Sequence, residues 1–332
     1  MIDFHIAEVV SFIQRREANL VALQFPEGLK VHAMGLAEEL ERRTGCKCII
    51  LGDPCYGACD VSVSYRDVAD ALVHFGHTPM PDLDVGEDVL FVEVRLEYGI
   101  EDLLPLALPR IRKRVGLVTT PQHLQWLPKV QAWLRSKDID GRIGKGDSRL
   151  KHPGQVLGCN VTSASSIAKD VDQFLFIGSG DFHPLAVAIE TGKEVIVLDP
   201  LMREVRDVSE LKDRVLRQRY ASIALAQEAG SFGILISTKP GQRRRVLAMR
   251  LRSLIEEKGR KASIIAMDNV APDQLLAFKV DAFVSTACPR IAIDDALRYK
   301  KPMLTPIELE VALGFRAWED YAFDSILSGS EK

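Results

Sequence analysis

Six cysteines are the residues of this chain best suited to chemistry, and they fall into two kinds. Cys46 and Cys48 alternate with Lys47 inside an apolar stretch, where a thiol behaves as a small buried hydrophobe, so both read as core. The others occupy loops rich in turn residues. Cys55 and Cys59 lie in Gly52-Asp53-Pro54-Cys55-Tyr56-Gly57-Ala58-Cys59-Asp60, Cys159 in Gln155-Val156-Leu157-Gly158-Cys159-Asn160, and Cys288 in Ser285-Thr286-Ala287-Cys288-Pro289-Arg290. Met1–Leu20 carries Asp3, Glu8, Arg15, Arg16 and Glu17, which the apolar region of a signal peptide would not tolerate, so the segment reads as an amphipathic helix and the chain as cytoplasmic. Cytosolic thiols are kept reduced, which argues against disulfides and leaves metal binding or catalysis. The short spacings of zinc ribbons and ferredoxins are missing, and spacing alone does not separate a shared metal site from buried thiols.

Position adds more. With 332 residues the chain is long enough for two or three cores, and one pattern of strand, helix, strand, helix, strand recurs three times. First strands are expected at Leu20–Phe25, Val115–Thr119 and Gly233–Ser237. Each runs into a proline-containing turn, Pro26-Glu27-Gly28, Pro121-Gln122-His123 or Pro240-Gly241-Gln242. Helices follow at about Leu29–Thr44, Leu124–Lys137 and Arg243–Lys258, with Gly45 and Gly259 suited to C-terminal caps. Second strands fall at Cys46–Leu51, Asp140–Ile143 and Ala262–Met267, and third strands at Ala71–Phe75, Phe174–Ile177 and Ala282–Ser285. Phe91–Arg95 and Val195–Asp199 read as extra strands, and Glu204–Glu228 as a long charged helix. The expected fold class is therefore α/β: three pseudo-equivalent parallel-sheet domains, 1–109, 110–228 and 229–332, in a triangular arrangement around a central site.

In open parallel sheets the loops at the carboxyl ends of strands form the functional crevice, and the four loop cysteines sit on such loops, one loop per unit. Three thiolates meeting on a pseudo-threefold axis would hold a 4Fe-4S cluster with one iron free of protein ligands, a design suited to substrate binding. Other candidates are softer. Gly178-Ser179-Gly180-Asp181-Phe182-His183 could present backbone N–H groups to a carboxylate or be only a tight turn. His74 and His77 read as hydrogen-bonded structural histidines, and Asp294 and Asp295 as acids at a helix start. The net charge of −3 gives no general attraction to nucleic acid, and the runs Arg110–Arg114 and Arg243–Arg245 read as solvated faces. No apolar stretch is long enough to span a membrane. Ser-His-Asp, P-loop and H-E-x-x-H patterns are absent.

Several segments, in order, resemble signatures of the iron–sulfur subunit of the diphthamide synthase family. They are Gln24-Phe25-Pro26-Glu27-Gly28-Leu29, Tyr56-Gly57-Ala58-Cys59, His74-Phe75-Gly76-His77, Gln155-Val156-Leu157-Gly158-Cys159 and Ala287-Cys288-Pro289-Arg290-Ile291-Ala292-Ile293-Asp294, and the similarity continues through Pro302–Leu313 and Trp318-Glu319-Asp320-Tyr321. The resemblance implies transfer of the 3-amino-3-carboxypropyl group of S-adenosylmethionine to a histidine imidazole carbon of translation elongation factor 2. This is the first step of diphthamide formation, by non-conventional radical chemistry at a 4Fe-4S cluster fed by an electron donor. It implies Cys59, Cys159 and Cys288 as the metal ligands that act in catalysis through the cluster, and a homodimer. Cys55 is outside the family pattern, which favours Cys59 in the first loop, and Asp295 stands where many relatives have tryptophan. Tyr56, Gly57, Gly180, His183 and Gln242, on the strand-end loops, are the expected S-adenosylmethionine contacts. A quinolinate-synthase-like enzyme shares the architecture and site logic but not these motifs. A non-catalytic iron–sulfur module would call for a fourth ligand, for which Cys55 is the obvious residue.

Overall fold

The computed structural model describes residues 2–329. Thirteen short strands form three sheets, and in each the strand order begins second, first, third, fourth. The first sheet contains β1 Leu20–Gln24, β2 Lys47–Ile50, β3 Ala71–Phe75 and β4 Val89–Val92. The second contains β5 Arg114–Thr119, β6 Asp140–Arg142, β7 Gln173–Ile177, β8 Val195–Asp199 and β9 Glu204–Asp207, and the third β10 Ser231–Ser237, β11 Lys261–Met267, β12 Ala282–Ser285 and β13 Met303–Leu304. All pairings are parallel except β8 with β9. The central strands β3, β7, β8 and β12 are buried along their whole length, as sheets covered on both faces require.

The repeat extends to packing. Gly116 of β5 is paired with Phe174 of β7, and Gly233 of β10 with Phe283 of β12. A Cβ on either glycine would meet the facing ring, at 2.3 Å and 2.7 Å respectively. Ala22, opposite Leu72, holds the equivalent place in the first sheet. A small residue on the first strand thus makes room for a large one on the third.

The expected strands are present to within a few residues at their ends. Two helical expectations need correction. Glu204–Glu228 is not one helix: Glu204–Asp207 pairs antiparallel with β8, and the helix spans Ser209–Gln227. Arg206 ties the first part to its neighbours, pairing with Asp181 at 2.7 Å and with Asp199 of β8 at 3.8 Å. Asp294 closes a short helix, Arg290–Ile293, and Asp295 precedes a 3-10 turn, so this pair does not begin an α-helix. The amphipathic N-terminal helix is Ile6–Arg16, burying Val9, Phe12 and Ile13.

The chain separates into two compact units. One comprises the segment up to Tyr98, Pro121–Gln125 and Lys239–Gly241, and holds the first sheet; the other comprises the rest, with the second and third sheets. Within the larger unit the helix Ser209–Gln227 is tied to the third sheet by Arg219, which is 1% exposed. Its guanidinium makes two bonds to Glu308, at 2.7 and 2.6 Å, and donates to the carbonyls of Ala292 and Met303. Among the described residues no helix is long and apolar enough to cross a membrane.

Candidate functional site

In the smaller unit the loop after β2 carries Cys55, Tyr56, Gly57 and Cys59. The loop is organised by Asp60, whose buried carboxylate accepts from Lys239 Nζ at 2.6 Å and from the Tyr56 backbone N–H at 3.2 Å. Its carbonyl accepts from Gln24 Nε2 at 2.9 Å. Cys59, half-buried, lies in the short 3-10 turn Ala58–Asp60. Two glycines let it sit there. A Cβ on Gly57 would lie 3.2 Å from the Cys59 sulfur, and one on Gly241 only 2.6 Å from both Cα and Cβ of Cys59. Tyr56 is 69% exposed, with Lys239 Nζ 5.5 Å from its ring centre.

In the larger unit Cys159 is at the tip of a tight turn closed by backbone bonds between Leu157 and Asn160. A Cβ on Gly158 would strike the Phe182 ring at 2.7 Å and approach His183 Nε2 at 3.8 Å, so His183 borders the cysteine turn. The C-terminal segment braces that turn: the Ile326 N–H donates to the Cys159 carbonyl at 2.7 Å, and Asn160 Nδ2 donates to the Ile326 carbonyl and to Asp147. Cys288 follows β12, half-buried. Its approach is fixed by Arg244, whose guanidinium donates to the carbonyls of Thr286 and Ala287 and makes a two-pronged bond to Asp324 at 2.8 and 2.6 Å.

Electrostatics single out this pair of cysteines. Burial pushes the Cys159 thiol up, while Arg149, which hydrogen-bonds its sulfur, and Arg244 pull it down. Arg244 also interacts with Cys288. Burial prevails on balance, but two buried guanidiniums beside these sulfurs oppose it and would offset the charge of thiolates bound to a metal. No disulfide engages any of the six cysteines. Cys46 is in the core, with the half-buried Cys48 packed against it.

The residues around these cysteines carry little signal in the sequence. Arg243–Arg245 reads as a solvated run, yet only Arg243 and Arg245 are exposed; Arg244 between them is buried by its bond to Asp324. Arg149 and the tail residue Asp324 carry no local pattern that marks them. The run Arg110–Arg114 does face solvent, pairing with Glu194 and Asp172. Of the expected cofactor contacts, Tyr56 and Gly57 share the Cys59 loop, while Gly180, His183 and Gln242 lie in the larger unit, Gly180 exposed and Gln242 buried.

Residues 25–322 match the family described as "Putative diphthamide synthesis protein". The chain belongs to this family. A 2-(3-amino-3-carboxypropyl)histidine synthase from Pyrococcus horikoshii is 37% identical over 97% of this chain and 93% of its own. The synthase subunit 1 of Caenorhabditis elegans is 32% identical over 93% of this chain and 80% of its own. The crystal structure of Dph2 from Pyrococcus horikoshii matches with a TM-score of 0.91 at 36% identity, covering 99% of this chain and 96% of that one. A second crystal structure of that Dph2, with a 4Fe-4S cluster, matches equally. The residues of this diphthamide-family chain fit such a group by their chemistry: thiol donors on strand-end loops, a glycine cradle at Cys59, and buried cations at Cys159 and Cys288 to offset an anionic thiolate cluster.

Proposed function

We propose that this chain is a 2-(3-amino-3-carboxypropyl)histidine synthase. It moves the 3-amino-3-carboxypropyl group of S-adenosylmethionine to a histidine imidazole carbon of translation elongation factor 2, acting as a cytoplasmic homodimer. The observation that carries this reading is end-to-end similarity to a synthase of that name, at 37% identity over 97% of the chain. In this reading three α/β domains, 1–109, 110–228 and 229–332, bring Cys59, Cys159 and Cys288 together as the ligands of one 4Fe-4S cluster.

When bound and reduced, the cluster supplies the electron that breaks a carbon–sulfur bond of the sulfonium. The chain's own residues do the rest by holding and orienting, since the reaction depends on geometry more than on acid–base groups. Arg149 and Arg244 offset the charge of the thiolates they approach. Gly57 and Gly241 leave room for Cys59 and its loop. Tyr56, Gly57, Gly180, His183 and Gln242 contact S-adenosylmethionine, and Tyr56 has the exposed aromatic face that a sulfonium cation would favour.

The test is anaerobic reconstitution with iron and sulfide. Paramagnetic resonance of the reduced protein is recorded with and without S-adenosylmethionine, and the mass of elongation factor 2 is measured after incubation. A 4Fe-4S signal that shifts with S-adenosylmethionine, is lost in Cys59→Ala, Cys159→Ala and Cys288→Ala, and accompanies mass addition on the factor is expected. A wild-type protein that holds no cluster, or modifies the factor without one, removes the reading. A monomeric mass by light scattering removes the dimer.

A further inference from the structure

A second group of metal-type side chains lies in the smaller unit and is not used by the proposed reaction. The Cys55 sulfur, a His74 nitrogen and a His77 nitrogen lie within 4.8 Å of one another. His74 Nε2 is 2.9 Å from His77 Nδ1 and 4.0 Å from Cys55 Sγ. Zinc bonds of about 2.0–2.1 Å to nitrogen and about 2.3 Å to sulfur set tetrahedral edges of about 3.3 Å between nitrogens and about 3.6 Å between nitrogen and sulfur. The two measured separations fall on either side of those edges, and the third, between Cys55 and His77, is no longer than 4.8 Å, so side-chain rotation that brings the Cys55 sulfur and the His77 ring together is needed to complete the geometry.

The backbone prepares this cluster. β3 ends at Phe75, and Gly76 turns the chain with φ +87°, which brings His77 back beside His74. An L residue would be strained there, and its Cβ would also strike Leu29 and Pro26 at 2.9 Å. Gln24 then fixes the tautomer. Its Nε2 donates to the Asp60 carbonyl, which leaves Oε1 to accept from the Ser62 N–H at 3.1 Å and from His74 Nδ1 at 2.8 Å. With its proton on Nδ1, His74 directs the Nε2 lone pair toward Cys55 and His77. A hydrogen-bond acceptor behind the distal nitrogen is the usual support of a metal-bound imidazole. Next in sequence, the Thr78 hydroxyl is buried with no hydrogen-bond partner among the described residues.

Charge agrees with a cation. Burial lowers both histidines, His77 to about 4, so both are neutral imidazoles, the form that binds metal. Burial and then Asp60 raise Cys55 to about 12, so the thiol gives up its proton only to a strong electrophile such as a divalent cation.

We propose that Cys55, His74 and His77 form a site for a borderline-soft divalent cation, zinc above all, with a fourth position for water. Binding converts the Cys55 thiol to thiolate and releases its proton to solvent, while His77, whose Nδ1–H donates to His74 Nε2 without the metal, moves its proton to Nε2 and stays neutral. The cation is a separate ion from the 4Fe-4S cluster, and its binding needs neither S-adenosylmethionine nor a reductant.

The experiment uses full-length, cluster-loaded protein exposed anaerobically to zinc, passed through a chelating column and assayed for zinc, with the 4Fe-4S signal recorded on the same sample. One retained zinc per chain is expected. Its X-ray absorption should give one sulfur at about 2.3 Å and two imidazole nitrogens at about 2.0 Å. Cys55→Ala should lose the zinc and keep the cluster signal. The inference fails if wild-type protein retains no zinc, if the shell contains two or more sulfurs, as Cys46 with Cys48 or the cluster cysteines would give, or if Cys55→Ala retains zinc undiminished. The wild-type absorption spectrum decides the matter even where the variant does not fold. Zinc held as expected in protein without a cluster would sink the proposed function and leave this site standing.

Discussion

Cys159 and Cys55 are both buried thiols on strand-end loops, and burial pushes both up, yet the leading charge effect beside each has the opposite sign. Beside Cys159 stand the guanidiniums of Arg149 and Arg244, which favour negative charge on sulfur. Beside Cys55 the largest charge effect comes from Asp60, which disfavours it, and a neutral imidazole nitrogen of His74 lies 4.0 Å from its sulfur. An anionic thiolate cluster suits the first environment, and a cation suits the second. Residue type and loop position therefore do not assign a cysteine; the charges packed against it do. Cys59 is marked instead by sterics, through the close approach of Gly241.

The largest way to break this contrast is Arg244→Met. The change strands Asp324, 5% exposed, together with the carbonyls of Thr286 and Ala287. Removing one partner of a buried ion pair costs about 3–5 kcal/mol, so denaturant midpoint and iron content should both fall sharply. Adding Asp324→Leu should recover much of the stability, because the stranded charge is then gone, but not the cluster. A single variant with near-native stability would mean that the tail is held by other contacts.

Gly241→Ala probes the other cysteine loop. Its Cβ would overlap the Cys59 backbone, and overpacking of this kind costs about 1–3 kcal/mol. Iron bound per chain should drop with the melting temperature. Gly180→Ala is the control: φ is +82° there but the space is open, so backbone strain of about 1–2 kcal/mol is expected with iron content unchanged. Equal iron loss in both variants would show that Gly241 has no special relation to Cys59.

The parts legible in the sequence are those with short-range signals. Apolar runs and proline turns gave the central strands, because a buried parallel strand is written in consecutive residues. Glycine and proline near Cys59, Cys159 and Cys288 marked those segments as loops. The helix expected over Glu204–Glu228 failed at its start, since β9 is set by antiparallel pairing with β8 rather than by its own polar residues. The shell around the cysteines was not legible either. Arg244 reaches 80 residues along the chain to Asp324, and Arg149 reaches Cys159 only after the intervening turn has folded. Such pairings are fixed by tertiary packing and leave no local period.

Arg149→Gln sharpens the contrast with the least damage. Gln keeps hydrogen-bonding capacity but removes the positive charge beside the Cys159 sulfur. One-electron reduction adds negative charge to a cluster, so a nearby buried cation, poorly screened by salt, stabilises the reduced state. Its removal should lower the midpoint potential, with a shift on the order of a tenfold change in the reduction equilibrium, about 59 mV for one electron. A redox titration followed by paramagnetic resonance measures this directly, and Arg149→Lys, which keeps the charge, should recover most of the shift. If Gln and Lys variants titrate alike at the wild-type potential, the charge at Arg149 does not act on a cluster at Cys159. The distinction between the Cys159 and Cys55 environments would then rest on Arg244 alone.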